Sequence, residues 1–239
     1  MQGERPRAKM ETLTEKFVRE LTSRHRVVVL GGLAVIAHGL SRSTFDGDIW
    51  LDPMGSSKEW AAVIEGTCGA FGGLSLHRLP GWTRVSGAAL IEAVEETGLV
   101  RVLGMDCPLD IFRCPNEFET GDFDSVCRRA RPRADGTLLP HPVDLIQTKI
   151  DTGRDKDRMD IFHLESLIRA EYRERLPVVN AAEAREMLER YSDWEVLSVA
   201  LNHPAPEIQE LALEHLREFA AEGDPFSQAI LAGRPVPGG

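Results

Sequence analysis

The segment that most constrains this chain is a short hydrophobic run that ends in a glycine pair. Residues 27–30 are β-branched or aliphatic, which is typical of a buried strand, and Gly31 and Gly32 follow at once. Residues 33–38 have a helical composition, and Gly39 is placed to end that helix. Glycine lets backbone amides approach a ligand closely, and a helix N-terminus favours an anion. On this pattern alone an ordinary tight turn is the more frequent structure, and a phosphate-binding turn is the alternative.

Two aspartates follow in a second predicted strand. Residues 44–51 alternate in polarity and end at an Asp-Pro pair, so a strand is expected there. Asp46 and Asp48 are two positions apart, so their side chains would project from one face about 7 Å apart. Neighbouring carboxylates repel unless a cation or a shared proton compensates them. Hard oxygen ligands favour Mg²⁺ or Mn²⁺, so this strand predicts a metal site, with a solvated turn as the alternative.

A third carboxylate, Asp110, lies between apolar residues in a strand predicted at 109–112. If this strand neighbours the first, at the usual spacing of about 4.8 Å, Asp110 joins the same cluster. Three such carboxylates can hold two cations about 4 Å apart, the arrangement used in phosphoryl and nucleotidyl transfer. Asp106 is the rival for this third position, but its Cys-Pro context is more typical of a turn.

The order of these residues is that of a known superfamily. Residues 31–44 read Gly-Gly-x-Ala-x-x-x-x-Gly-x-x-Arg-x-Thr, and residues 44–48 read Thr-x-Asp-x-Asp. This pattern resembles the polymerase-β-like nucleotidyltransferases, and above all the minimal bacterial enzymes that include the abortive-infection toxins of toxin–antitoxin systems. The resemblance covers about residues 25–165. One departure is Gly47, where the family usually has an aliphatic residue, and glycine weakens a strand interior.

The resemblance implies a role for each matching residue. Asp46 and Asp48 would bind the metals, Mg²⁺ or Mn²⁺, and Asp110 would complete the metal site and assist the attacking hydroxyl. Gly31 and Gly32 would hold the triphosphate of a nucleoside triphosphate (NTP) through their backbone amides.

Three further residues are candidates for the nucleotide phosphates. Arg42 and Thr44 precede the aspartates, and Thr44 has the same strand parity as Asp46. Residues 144–161 are similar to the family helix whose lysine meets the phosphates, which here is Lys149. The alternatives are a surface ion pair for Arg42 and a solvated helix position for Lys149. In the same segment Asp160 is predicted to orient a nearby base, and residues 154–158 are predicted to form a solvated, ion-paired face.

The net charge of the chain limits the partners that it is expected to bind. Acidic residues outnumber basic ones by 38 to 28, for a formal charge of −10, which disfavours non-specific binding to nucleic acid or to an anionic membrane. The one dense basic cluster is read either as a loop or as a docking patch for a polyanionic acceptor such as tRNA. It consists of Arg128, Arg129, Arg131 and Arg133. The acceptor therefore stays open between tRNA, a protein and a small-molecule hydroxyl.

Composition along the chain predicts an α/β (α+β) protein with a mixed sheet, flanking helices and a helical C-terminal region. The expected domains are a catalytic domain at 1–140, a helical domain at 141–232 and a flexible tail at 233–239. No run approaches the ~20 apolar residues of a membrane span, and no apolar leader follows Met1. The four cysteines include no Cys-x-x-Cys pair, so reduced thiols in a cytoplasmic protein are expected.

Together these features predict an Mg²⁺-dependent nucleotidyltransferase that moves a nucleoside monophosphate from an NTP to an acceptor hydroxyl. The resemblance favours the toxin of a toxin–antitoxin pair, with an antitoxin protein as a partner. An antibiotic nucleotidyltransferase of the aminoglycoside type is the alternative within the same chemistry. From another class, the alternative is a non-catalytic protein of this fold that binds a nucleotide or a partner without turnover.

Overall fold

The computed structural model describes residues 11–150 and 153–233. The chain packs as two units, one that ends at Asp160 and one that begins at Ile161. The segment that follows residue 140, where the sequence predicts a domain boundary, therefore still belongs to the first unit as far as Asp160. Apart from Gly233, the tail predicted at 233–239 lies outside the described residues.

An eight-stranded mixed sheet forms the centre of the first unit, in the order β4-β3-β5-β6-β2-β1-β8-β7. The strands are β1 Val27–Val29, β2 Gly47–Leu51, β3 Ser75–Arg78, β4 Thr83–Val85, β5 Leu99–Leu103, β6 Leu109–Phe112, β7 Arg131–Pro132 and β8 Leu138–Leu139. Strand β2 runs parallel to β6 and antiparallel to β1. Strand β5 runs antiparallel to β6, so β5, β6 and β2 are consecutive neighbours at the middle of the sheet.

Helices surround this sheet and continue into the second unit. In the first unit they are α1 Leu13–Thr22, α2 Gly31–Ala37, α3 Ser57–Phe71, α4 Ala88–Thr97, α5 Phe123–Arg129 and α6 Pro142–Gln147, with a 3₁₀ turn at Thr120–Asp122. The division between the units falls within α7 Asp155–Arg175. The second unit continues with α8 Ala181–Arg190, α9 Trp194–Ala200, α10 Pro206–Ala221 and α11 Pro225–Leu231.

Local sequence signals explain where several helices begin. Thr12 and Glu15 form a capping box at the start of α1, in which each side chain accepts a hydrogen bond from the backbone amide of the other residue. The Ser56 hydroxyl caps α3 by accepting a hydrogen bond from the amide of Glu59. Pro142 opens α6, where its missing amide hydrogen costs nothing. Between the helices and the sheet lies a continuous apolar core that includes Trp60.

The second unit is held together by its own helix faces. Asn180, Asp193 and Asp224 cap α8, α9 and α11 through their side chains, which satisfies amides at the start of each helix. Buried apolar residues at helical spacing form the interior of this unit. They include Leu188, Leu197, Ile208, Ala212 and Leu216.

The predicted fold class is confirmed: a mixed sheet with flanking helices is followed by a helical region. Strands β5 and β6 have the bounds that the sequence predicts. Strand β2 starts at Gly47 rather than at residue 44, because its pairing with β6 begins where Gly47 lies opposite Leu109. Asp46 therefore lies in the bend before the strand. Over the described residues, no helix is both long and apolar enough to cross a bilayer.

Candidate active site

A row of charged side chains crosses three adjacent strands at the centre of the sheet. Asp48 on β2 lies directly opposite Asp110 on β6, and Asp110 lies opposite Arg101 on β5. Residues that pair across neighbouring strands share a face of the sheet, so these three side chains project together. The predicted adjacency of the two aspartate-bearing strands is thus confirmed. The role of these aspartates as metal ligands stays a prediction.

Arg101, which the sequence analysis did not single out, holds one carboxylate of this row in a two-pronged contact. Its Nε and Nη2 donate to the two oxygens of Asp110, each over 2.6 Å. Nη2 also lies 3.9 Å from an oxygen of Asp46. On its other side, the guanidinium carbon is 3.8 Å from the centre of the Trp82 ring. The available signal was a lone charged residue at the centre of an apolar strand, but strand register is needed to name its partner.

Asp48 differs from Asp110 in its side-chain contacts. Its side chain makes no hydrogen bond or ion pair to any residue in the described part of the chain. Burial raises the pKa of Asp48 to about 6, and repulsion from Asp46 and Asp110 adds to the shift. A partly buried carboxylate crowded by two others has a strong electrostatic preference for a cation.

The glycine pair is packed against these acidic residues. A Cβ atom at Gly31, where φ is +53°, would lie 1.9 Å from an oxygen of Asp48. A Cβ atom at Gly32 would lie 2.8 Å from both Arg42 Nη2 and Thr44 Oγ1. The residue before α2 is Leu30, whose side chain does not cap the helix. The glycines are therefore required by close approach to the site, beyond what an ordinary tight turn would need.

Thr44 positions the exposed aspartate of the cluster. Its hydroxyl donates to Asp46 Oδ1 over 3.0 Å. The shared strand face that the sequence predicts for these two residues is replaced by a local contact in the bend before β2. Thr44 and Asp46 nevertheless line the same cavity.

A second group of charged side chains lines the same cavity and is called the cationic wall: Arg42, Lys149, Arg154 and Lys156. Lys149 follows α6 in a turn and is only 5% exposed. Its Nζ lies 3.2 Å from Asp157 Oδ1 and 2.8 Å from Asp160 Oδ2. Arg42 Nη2 donates to the same Asp160 oxygen over 2.9 Å. The prediction that Asp160 orients a nearby base is confirmed by these contacts, and the solvated position considered for Lys149 is wrong.

The segment 154–158 is only partly the solvated face that its alternating charges predict. Arg158 and Asp155 form an exposed pair, as expected. Asp157 is instead buried and accepts from both Lys149 and Arg154, so the prediction is wrong at this position. Lys156, with Arg154, lines the cavity. Local charge alternation cannot reveal that a carboxylate will be covered by a lysine eight residues earlier.

The three aspartates, which form the carboxylate wall, and the cationic wall line one cavity of about 500 Å³, a volume typical of small-ligand sites. Every predicted site residue lines it. These residues are Gly31, Gly32, Arg42, Thr44, Asp46, Asp48, Asp110 and Lys149. All of them belong to the first unit.

Two other sequence candidates lie outside this cavity. Asp106 is exposed and accepts hydrogen bonds from the amides of Leu13 and Thr14, so it caps α1 and the turn favoured by its context is confirmed. The arginine cluster lies at the end of α5 and in and just after β7. Within it, Arg129 pairs with the buried Asp144 over 2.6 Å, which assigns that arginine a structural contact.

The donor set suits a hard divalent cation, although one carboxylate is already engaged. Among the residues that the structure describes, no three His, Cys, Asp or Glu side chains converge into a ready metal shell. Arg101 contacts both oxygens of Asp110, so that carboxylate is already paired. Asp46 and Asp48 remain as the oxygen ligands that would hold a cation, with Gly31 leaving space beside them.

No protein-family model matches the chain, and a search of curated proteins finds no match. The resemblance to nucleotidyltransferases therefore stands on the sequence motifs alone. What the site does must be argued from its geometry and charge.

Proposed function

We propose that the protein is an Mg²⁺- or Mn²⁺-dependent nucleotidyltransferase that transfers a nucleoside monophosphate from an NTP to an acceptor hydroxyl. The observation that carries this proposal is that carboxylates and cations line one cavity. Its lining includes Asp46 and Asp48 together with Lys149 and Arg154. Carboxylates suit a divalent cation and the cations suit a polyphosphate, and the metal complex of an NTP carries both groups.

The cationic wall would bind the triphosphate. Lys149 is held in place by two buried carboxylates, so its ammonium group is positioned before any nucleotide arrives. Arg42 is anchored by Asp160 in the same way. Preorganised charges of this kind stabilise developing negative charge without further reorganisation.

In the proposed reaction, residues of this cavity hold the acceptor oxygen in line with the α-phosphorus of the NTP. A bond forms between these two atoms, the bond from the α-phosphorus to its bridging oxygen breaks, and pyrophosphate leaves. The hydroxyl proton passes to a carboxylate of the cluster. A bound divalent cation would neutralise charge on the phosphate oxygens. Holding both reactants in one cavity supplies much of the rate.

Labelled NTPs test this proposal directly. The protein is incubated with Mg²⁺ and each of the four NTPs, labelled at the α-phosphate, together with total RNA, a protein lysate or aminoglycosides. We expect one pool to take up label, and the double variant Asp46→Asn/Asp48→Asn to transfer at least about 1,000-fold less. Asp124→Asn, which removes an exposed carboxylate on α5, is the matched control and should retain full transfer. Full transfer by the double variant would refute the assignment of the site.

The pool that takes up label identifies the acceptor. Uptake by tRNA or by protein would favour a toxin, for which an antitoxin protein is the expected partner. Uptake by aminoglycosides would favour an antibiotic nucleotidyltransferase. The toxin is placed first because of the sequence resemblance.

A non-catalytic nucleotide-binding protein is the second candidate, and the Arg101–Asp110 pair favours it because it occupies one carboxylate of the cluster. Thermal unfolding separates the two candidates. An enzyme of the proposed kind should be stabilised by NTP only when Mg²⁺ is present, by RT ln(1 + [L]/Kd). Equal stabilisation without metal would favour the non-catalytic protein.

A further inference from the structure

Arg101 lies where a second cation would be expected. We propose that this guanidinium takes the place of one of the two cations of the carboxylate cluster, so that the site binds a single divalent cation on Asp46 and Asp48. The inference deepens the proposed nucleotidyl transfer and rests on it for its functional meaning. It concerns which charges this chain supplies itself and which it must take from solution.

The first support is the position of the guanidinium. It contacts both oxygens of Asp110 at 2.6 Å, and its Nη2 is 3.9 Å from an oxygen of Asp46. It therefore lies between Asp110 and Asp46 and places one positive charge next to both carboxylates. A paired contact of this kind is among the stronger hydrogen-bonded ion pairs and fixes both planes.

The second support is that Arg101 is held in place from several sides. Its backbone is at the centre of β5, paired with His77 on β3 and with Asp110 on β6. Its guanidinium stacks on the Trp82 ring at 3.8 Å, a cation–π contact. Asp110 is only 6% exposed. Displacing Arg101 would thus break two contacts and leave a buried carboxylate to be compensated again.

The third support is the charge of the cluster. Without Arg101, the three carboxylates Asp46, Asp48 and Asp110 carry three negative charges. Arg101 reduces the formal charge to minus two, which one divalent cation balances. In the absence of nucleotide, a second divalent cation would bring the cluster to a formal charge of plus two with Arg101 in place, against plus one without it.

Counting bound Mn²⁺ tests the inference. Free Mn²⁺ gives a sharp paramagnetic resonance signal that is lost on binding, so titration of the protein with Mn²⁺ alone yields the number of ions per chain. We expect one for the wild type, two for Arg101→Met, one for Arg101→Lys, and none for Asp48→Asn. Arg101→Lys is the matched control because it keeps the charge and loses only the planar fork.

The inference is overturned by two ions or none in the wild type, by one ion in Arg101→Met, or by two in Arg101→Lys. Circular dichroism checks that each variant is folded. If Arg101→Met does not fold, the wild-type and Arg101→Lys counts still decide the question. The count uses no NTP, so its failure is distinct from failure of the labelled-NTP experiment. Two ions together with active transfer would remove this inference and leave the proposed function standing.

Discussion

The two walls of the cavity use the same residue types in opposite ways. On the cationic wall, Asp160 is completely buried, yet Lys149 and Arg42 both contact it within 3 Å. On the carboxylate wall, Asp110 is matched by Arg101, but Asp48 makes no ion pair within the described residues. The buried carboxylate of the first wall is compensated internally, whereas Asp48 on the second wall has no ion pair among the described residues.

The comparison teaches that pairing, more than burial, decides what a buried aspartate does. Asp160 is more deeply buried than Asp48, but two cations compensate it, and its role is to position them. The pKa of Asp48 is raised because burial and the two neighbouring carboxylates outweigh the attraction of nearby cations. A buried carboxylate without a partner is the one that an incoming metal ion can stabilise.

Loss of the central cation should have the largest effect on stability. Lys149→Met removes the ammonium group shared by Asp157 and Asp160 and leaves two buried carboxylates close together. Breaking such a buried contact costs about 3–5 kcal/mol, which urea denaturation can measure. Lys58→Met, at an exposed position on α3, is the control and should change the free energy of unfolding by less than about 0.5 kcal/mol. Equal losses in the two variants would refute the internal neutralisation of this wall.

On the carboxylate wall, Asp48 should make the free energy of unfolding depend on pH. The pKa of Asp48 is about 6 in the folded protein and 3.8 when unperturbed. Since the folded state binds the proton more tightly, this group lowers the free energy of unfolding as pH rises through 4 to 6. The shift amounts to roughly 3 kcal/mol at about 1.4 kcal/mol per pKa unit. Asp48→Asn lacks this dependence, so the difference between variant and wild type should grow between pH 4 and pH 7.5.

Urea denaturation of both proteins at several pH values measures that difference. Adding Mg²⁺ at pH 7.5 should restore stability to the wild type and leave Asp48→Asn nearly unchanged. Parallel pH profiles for the two proteins would show that Asp48 is compensated after all.

A methyl group beside Asp48 should have a smaller effect. Gly31 and Gly87 both have φ of +53°, but only at Gly31 would an added Cβ meet another atom, an oxygen of Asp48 at 1.9 Å. Gly87→Ala should cost the backbone strain alone, about 1–2 kcal/mol. Gly31→Ala should cost about 1 kcal/mol more and weaken Mn²⁺ binding about tenfold. Unchanged Mn²⁺ affinity in Gly31→Ala would contradict the close approach of the glycine turn to the metal site.

The smallest effect is expected at the rim of the cationic wall. Arg154 is more than half exposed, so Arg154→Gln should change the free energy of unfolding by less than about 1 kcal/mol. Because Arg154 lines the cavity, the KM for NTP should rise about fivefold, which is roughly 1 kcal/mol. Arg158→Gln, in an exposed pair in the first turn of α7, is the control and should leave KM unchanged. A stability loss as large as that of Lys149→Met would show that the rim and the interior of this wall do not differ.

The strand-borne part of the site could be predicted from sequence because its signals are local. An aspartate between apolar residues, as at Asp110, and the Asp-x-Asp spacing each indicate a strand that contributes carboxylates to a site. The two strands are neighbours in the sheet. Arg101 could not be predicted, because its partner depends on the register between β5 and β6, which a hairpin-like pattern leaves open. The burial of Asp157 could not be predicted either, because it depends on contact with Lys149, which is eight residues earlier in the chain.

The stacking of Arg101 on Trp82 gives the cluster a built-in optical reporter. Indole emission is sensitive to a charge placed against the ring, and here the charge is the one that neutralises Asp110. Of the other tryptophans, Trp50 and Trp60 are fully buried in the first unit, and Trp194 stacks on Phe226 in the second. A chain that keeps Trp82 as its sole tryptophan would therefore report, by fluorescence alone, whether Arg101 stays in place when metal and nucleotide bind.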